Sequence, residues 1–290
     1  MGSTYVVTAI DGVAFGLLLF VVAAGLALVF GVMDVLNLAH GTLYLLGAYL
    51  AYLFVHHSLL GLAVALLAGI AAGALGGSAL AVLLRPLGTN HLDQSLVTLG
   101  ITFLAADVFD TVFGGAPLPA DPPTLLDGRV EILDHGYPAY RLVFIGVAAL
   151  IAIALQVVLR HTTTGLLLRA TVSDPGMAAA TGIHTGRVRT AALAVGGVLA
   201  VAGGVLGAPL IGPAPGADTT VLVLCLIVVV IGAAGSIPAT LGAALLVGQV
   251  QTVGLLAAPT LSPFALFGAL LLVLVLRGSA TTPMRMPTPS

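Results

Sequence analysis

Charge is what this sequence has least of. Only 7% of its 290 residues are charged, against 59% hydrophobic. A soluble globular domain carries about 25% charged residues. The chain therefore has too little charge to cover a water-facing surface. Lysine is absent, so all nine basic residues are arginine. A phosphate-binding loop of the form GxxxxGK[ST] is excluded with it, and with that loop goes ATP hydrolysis by this chain. Tryptophan is absent as well, which leaves any interfacial aromatic belt to Tyr and Phe. The single cysteine, Cys225, has no partner for an intrachain disulfide. A net charge of −2 argues against nucleic acid as a partner. No His pair with a carboxylate has the spacing of a metal site, and no nucleophile–base arrangement is visible. The sequence predicts neither a bound metal nor catalysis.

What is present is apolar sequence in long runs, with a mean hydropathy of +1.19. A membrane-spanning helix needs about 20 mainly apolar residues. Nine segments approach that length: 8–31, 38–55, 59–84, 93–113, 141–160, 188–211, 219–234, 238–257 and 262–277. The seventh is short, so eight or nine crossings are expected. Backbone groups in lipid must be satisfied within the chain, which makes the fold an all-α polytopic transmembrane bundle. One transmembrane domain over 1–277 is expected, followed by a Pro-, Thr- and Ser-rich disordered tail, 278–290. The first run is read as a retained span, not a cleaved signal. The 37 glycines suit close helix contacts in lipid.

Arginine sets the orientation. If nine segments alternate, Arg85, Arg160, Arg169, Arg187, Arg189, Arg277 and Arg285 fall on one side. Arg129 and Arg141 fall on the other. The positive-inside rule makes the arginine-rich side cytoplasmic, with the N-terminus outside and the C-terminus inside. An outer loop, 114–140, is expected to carry a hairpin turning at Asp127-Gly128.

The inner loop, 161–187, carries start and stop signals for a helix of about two turns. Asp174 is placed as N-cap, Pro175 at the first helical position, and Gly182 as left-handed terminator. Met177 and Ala179 lie between them. So short a helix needs a surface to pack on. That surface is either the membrane or a partner protein.

Three blocks carry a family resemblance. They are Gly25–Tyr49, containing Asp34, Asn37, His40 and Gly41; Thr164–Ile183; and Ile231–Pro238 with Gly242. Arg85-Pro86-Leu87 and Thr98-Leu99-Gly100 stand between the first two. In this order the blocks resemble the branched-chain amino acid permease family of ATP-binding-cassette importers, of the LivH type, over roughly 8–277. The resemblance implies a bacterial cytoplasmic membrane and a second permease subunit, often a different chain. It also implies two cytoplasmic ATPases that hold ATP and Mg, and an external substrate-binding protein. It makes 174–182 a coupling helix, with Arg169, Asp174, Pro175, Met177, Ala179 and Gly182 at the ATPase contact.

Asp34, Asn37 and His40, at i, i+3 and i+6, interrupt apolar sequence. They are expected either to line a substrate pathway with Gly41 and Thr98 or to form an interhelical hydrogen-bond network. The small residues Gly232, Gly235, Ser236 and Gly242 are expected at helix contacts. The competing function is a self-contained ion-coupled transporter or channel. That class wants ionisable residues at mid-membrane or repeated halves, and neither is evident.

Overall fold

The computed structural model describes residues 2–33, 36–88, 90–132, 135–232, 236–257 and 259–280. Asp34 and Gly235 lie outside them, as does most of the expected tail. The described chain is almost wholly helical. The helices are α1 (Gly2–Met33), α2 (His40–Phe54), α3 (Leu59–Leu84), α4 (His91–Phe113), α5 (Ala139–His161), α6 (Thr163–Ser173), α7 (Pro175–Ala180), α8 (Thr185–Gly207), α9 (Ala217–Gly232), α10 (Ile237–Ala257) and α11 (Ser262–Ala280).

All nine expected segments are helical. Among the described residues, six helices are long and apolar enough to cross a membrane: α1, α3, α4, α5, α8 and α10. With 15 and 16 residues, α2 and α9 cover about 22–24 Å at 1.5 Å per residue, short of a ~30 Å hydrocarbon core. The reason is where they start. The ring of His40, the first residue of α2, bonds the Val22 carbonyl in the middle third of α1. Gly41 packs directly on the backbone of Asp218, in the first turn of α9. The two short helices begin beside each other inside the bundle.

α1 is the axis. Leu18 through Ala24 are fully buried, with α8, α9, α10 and α5 packed around them. Lipid is as apolar as leucine, so close contact rather than hydrophobic burial must hold these helices together. The seam between α3 and α8 shows how. Ala65, Gly69, Gly73 and Gly77 recur every fourth residue on one buried ridge of α3. A Cβ on Gly73 would stand 2.6 Å from the Gly197 carbonyl oxygen. Gly77 meets the Leu193 backbone in the same way. By contrast, α3, α4 and α5 turn large side chains outward, among them Leu67, Leu75, Phe103, Leu104 and Leu150.

Outside the helices lies one hairpin, β1 (Arg129–Ile132) antiparallel to β2 (His135–Pro138). Its position corrects the expected turn at Asp127-Gly128. Asp127 instead closes a 3-10 turn over Thr124–Leu126, and the Gly128 carbonyl accepts from Ala139 N–H. The two strands follow this point instead of flanking it.

β2 delivers Tyr137, buried to 1% exposure, whose hydroxyl donates to Asp11 Oδ1 at 2.9 Å. Arg141 pairs with the same carboxylate. Burial, and then the neighbouring Asp11 carboxylate, push the Tyr137 phenol upward, so it stays a neutral donor. This cluster ties α1, the hairpin and α5 together.

Candidate functional site: a broken helix pair and an arginine-flanked arm

Between α1 and α2 the backbone leaves helical geometry over 36–39. An unpaired N–H or C=O at membrane depth costs several kcal/mol. α4 supplies the missing partners from a polar stripe. Leu38 N–H donates to Thr98 Oγ1 at 3.2 Å, and Thr102 Oγ1 donates to Leu38 C=O at 3.2 Å. Ser95 Oγ reaches the Leu36 carbonyl at 3.5 Å. Ser95, Thr98 and Thr102 stand at i, i+3 and i+7, one face of a helix. Gln94 Nε2 donates to the Gly88 carbonyl at 2.6 Å and pins the start of α4.

The side chains of the break turn inward. His40 is fully buried and its Nε2 donates to Val22 C=O at 2.9 Å. Its Nδ1 has no partner among the described residues, and neither do Asn37 Oδ1, Thr42 Oγ1 or the hydroxyls of Tyr44 and Tyr49. Five buried polar groups within 13 residues make this the most polar stretch of the interior. Tyr49 stacks on Phe113, at the C-terminal end of α4, with centroids 4.0 Å apart and planes 9° from parallel. Asp218, only 5% exposed, adds a carboxylate at the start of α9. No motif marks it in the sequence, where it follows a glycine- and proline-rich stretch.

Asn37, His40, Gly41 and Thr98 thus do come together, enclosed by protein in this conformation. Thr98 holds backbone and Gly41 permits a close helix approach. A separate crevice of about 500 Å3 opens between α9, α10 and α11, with Thr219, Thr220 and Gln251 among its walls. Gln249 instead cross-links helices, donating to Ala9 C=O at 2.8 Å.

Of the expected packing residues, Gly232 meets the backbone of Thr240, and a Cβ there would stand 2.7 Å from Thr240 Cα. Ser236 sits exposed at the start of α10, its carbonyl accepting from Thr240 N–H. Gly242 is corrected: it is exposed, and a Cβ there would meet nothing within 4 Å among the described residues.

At the other end of α5 the inner loop holds two helices where one was expected. α6 is capped by Thr162, whose Oγ1 accepts from Gly165 N–H at 3.2 Å. Arg169 projects back from α6 and donates to Leu159 C=O at 2.6 Å. It satisfies a carbonyl at the C-terminus of α5, where a cation also complements the helix dipole. Arg169 therefore anchors the arm.

α7 follows with the expected caps. Asp174 Oδ1 accepts from Met177 N–H at 2.9 Å. Gly182 takes φ +90°. Ile183 N–H bonds Ala178 C=O and Gly182 N–H bonds Ala179 C=O, both at 3.0 Å. That pair is the Schellman arrangement. Ala178 alone is buried; Met177, 63% exposed, and Ala179 face outward.

Arg85 and Gly186 are neighbours, so Arg85, Arg160, Arg169, Arg187 and Arg189 share the α7 end of the bundle. Arg141 and Asp11 mark the opposite end. Among the described residues no group of three His, Cys, Asp or Glu side chains stands together as a metal site would.

The family model described as branched-chain amino acid transport system / permease component matches residues 8–276. The high-affinity branched-chain amino acid transport system permease protein LivH of Salmonella typhimurium is 26% identical over 211 residues, covering 68% of each chain. LivH of Escherichia coli K12 is 25% identical over 212 residues, with the same coverage. BraD of Pseudomonas aeruginosa, another protein of that description, is 26% identical over 290 residues and 94% of each chain. No solved structure matches. With all but its two ends inside the family match, a helical bundle of membrane-spanning length and an interior broken at a polar block, this chain belongs to the family of permease components of branched-chain amino acid transport systems.

Proposed function

We propose that the chain is the membrane subunit of an ATP-driven importer of branched-chain amino acids, with its arginine-rich end in the cytoplasm. A second permease subunit, two ATPases carrying ATP and Mg, and an external binding protein complete the machine. This chain hydrolyses nothing itself. One observation carries the reading most: a two-turn helix, capped at both ends, stands on an anchored arm with Met177 and Ala179 outward. A helix of six residues gains little from its own hydrogen bonds. Two caps and an anchor make a rigid knob for another protein's groove. Arg169 belongs to the anchor, and Met177 and Ala179 to the contact.

In this reading closure of the ATPases displaces α7. The displacement passes through α6 to α5 and to the inner end of α1, against which α6 packs. The polar break at 36–40 and the crevice beside Thr219 and Thr220 are the stretches that open to substrate. Half-helix ends inside a bundle are where transporters meet charged substrates.

The test is co-reconstitution of the chain with its ATPases and binding protein. Ala179→Arg is expected to lower ATP-driven leucine uptake by about tenfold or more, the scale of a lost interface anchor. Folding and thermal stability are expected to stay as they are, because Ala179 is exposed. Leucine uptake by this chain alone under an ion gradient would sink the importer reading. Unchanged uptake in Ala179→Arg would sink the coupling role of α7.

A further inference from the structure

Beneath α6 runs a groove of about 260 Å3, walled by α5, α6 and α8. Leu155 and Val158 come from α5, Leu168 from α6, and Val188 and Val195 from α8. Arg187 stands at its end. Along α8 the lining residues Arg187, Val188, Ala191, Ala192 and Val195 follow one helical face for about 12 Å. The slot is therefore charged at the arginine-rich surface and apolar below it.

A wall this apolar gains dispersion contacts from an apolar occupant. Water gains nothing there, for it needs two or more polar partners and this wall is apolar. The occupant must itself be a cationophilic head on an apolar chain. We propose that the groove holds one acyl chain of an anionic phospholipid, with the lipid phosphate on Arg187.

Charge complementarity supports this occupant. Arg187 has no ion-pair partner among the described residues. Between residues 135 and 217 the sequence has a single carboxylate, Asp174. That carboxylate is already engaged as the cap of α7. Arg160 ends α5 at the same surface. A guanidinium with no ion-pair partner among the described residues, at the mouth of an apolar groove, suits a lipid phosphate by geometry and charge. The lipid then fills the space between the spans and the arm, and so holds α6 in place. The proposal depends on the chain's place in a membrane and not on which side is cytoplasmic or on ATP coupling.

Its test uses a blank the sequence provides. The chain has no tryptophan, so a Val158→Trp variant emits from the groove alone. The full-length variant is reconstituted in symmetric bilayers with brominated phosphatidylglycerol or brominated phosphatidylcholine, and quenching is compared at equal mole fraction. Brominated phosphatidylglycerol is expected to compete for the groove about fivefold better. Adding Arg187→Gln is expected to remove that preference, one arginine near a membrane surface being worth about that factor.

A Phe103→Trp variant on the outward face of α4 serves as reference and is expected to be quenched equally by both lipids. Equal quenching at position 158 overturns the proposal, since only bulk lipid is then present. Absence of quenching by either lipid overturns it too, since protein then covers the groove. A preference that survives Arg187→Gln, or appears equally at position 103, also overturns it. None of these readings involves ATP, so failure of the importer reading is seen separately.

Discussion

Thr98 shows how one hydroxyl can hold a break open inside a membrane. Its Oγ1 accepts from Leu38 N–H and donates to Ser95 C=O. Replacing it with valine keeps the shape and strands a buried N–H. The expected cost is about 1–3 kcal/mol. Thr98→Ser is expected to restore most of it. Thermal unfolding in detergent reads both, and equal Tm values for wild type and Thr98→Val would remove Thr98 from this role.

Such roles were half legible in the sequence. The polar block Asn37–His40 stood out because it interrupts an apolar run, and the structure does gather it with Thr98. The donor and acceptor pattern was invisible, because Leu38 and Thr98 are 60 positions apart. Asp11 was passed over for the same reason. Its partner Arg141 lies 130 positions away, and one sequence holds no sign of that pairing.

At the scale of elements, α7 was legible and α6 was not. The caps of α7 are local, written within nine residues, and each residue type matches its backbone position. Asp174→Ala is expected to cost α7 about 1 kcal/mol. Gly182→Ala, which forces a Cβ into φ +90°, is expected to cost a similar amount. Both losses fall on a short, exposed helix, so they are expected as faster amide exchange across 175–180 with an unchanged global Tm. A drop in global Tm with no local change in exchange would contradict a locally capped arm.

α6 has only a weak start signal at Thr162 and is held by packing on α5, α1 and α8, which local reading does not see. The short reach of α2 and α9 escaped for a related reason. Hydropathy registers how apolar a segment is, and nothing of the depth at which it begins.

At the scale of the molecule, the lone thiol is a reporter. Cys225 is fully buried, 3.9 Å from the Leu19 carbonyl on the central helix. A soluble maleimide is expected to leave it unmodified in the folded protein and to label it stoichiometrically once the bundle is unfolded in SDS. Because α1 and α9 sit at the core, labelling is expected to follow global opening and not the fraying of an end. Ready labelling under native conditions would mean that α9 is not packed on α1.

The glycine seam between α3 and α8 bears on motion as well as cohesion. Where leucine knobs sit in holes, one helix must climb out of its neighbour before it can shift. Here Gly73 and Gly77 lay bare backbone against the backbone of Gly197 and Leu193, while Gly69 meets the side chains of Val201 and Val205. Such a surface resists being pulled apart and is keyed to one register, because a Cβ brought to the place of Gly73 or Gly77 by an axial shift would stand within 2.6 Å of a facing carbonyl oxygen. Any displacement of α8, which follows the α6–α7 arm in the chain, therefore carries α3 with it.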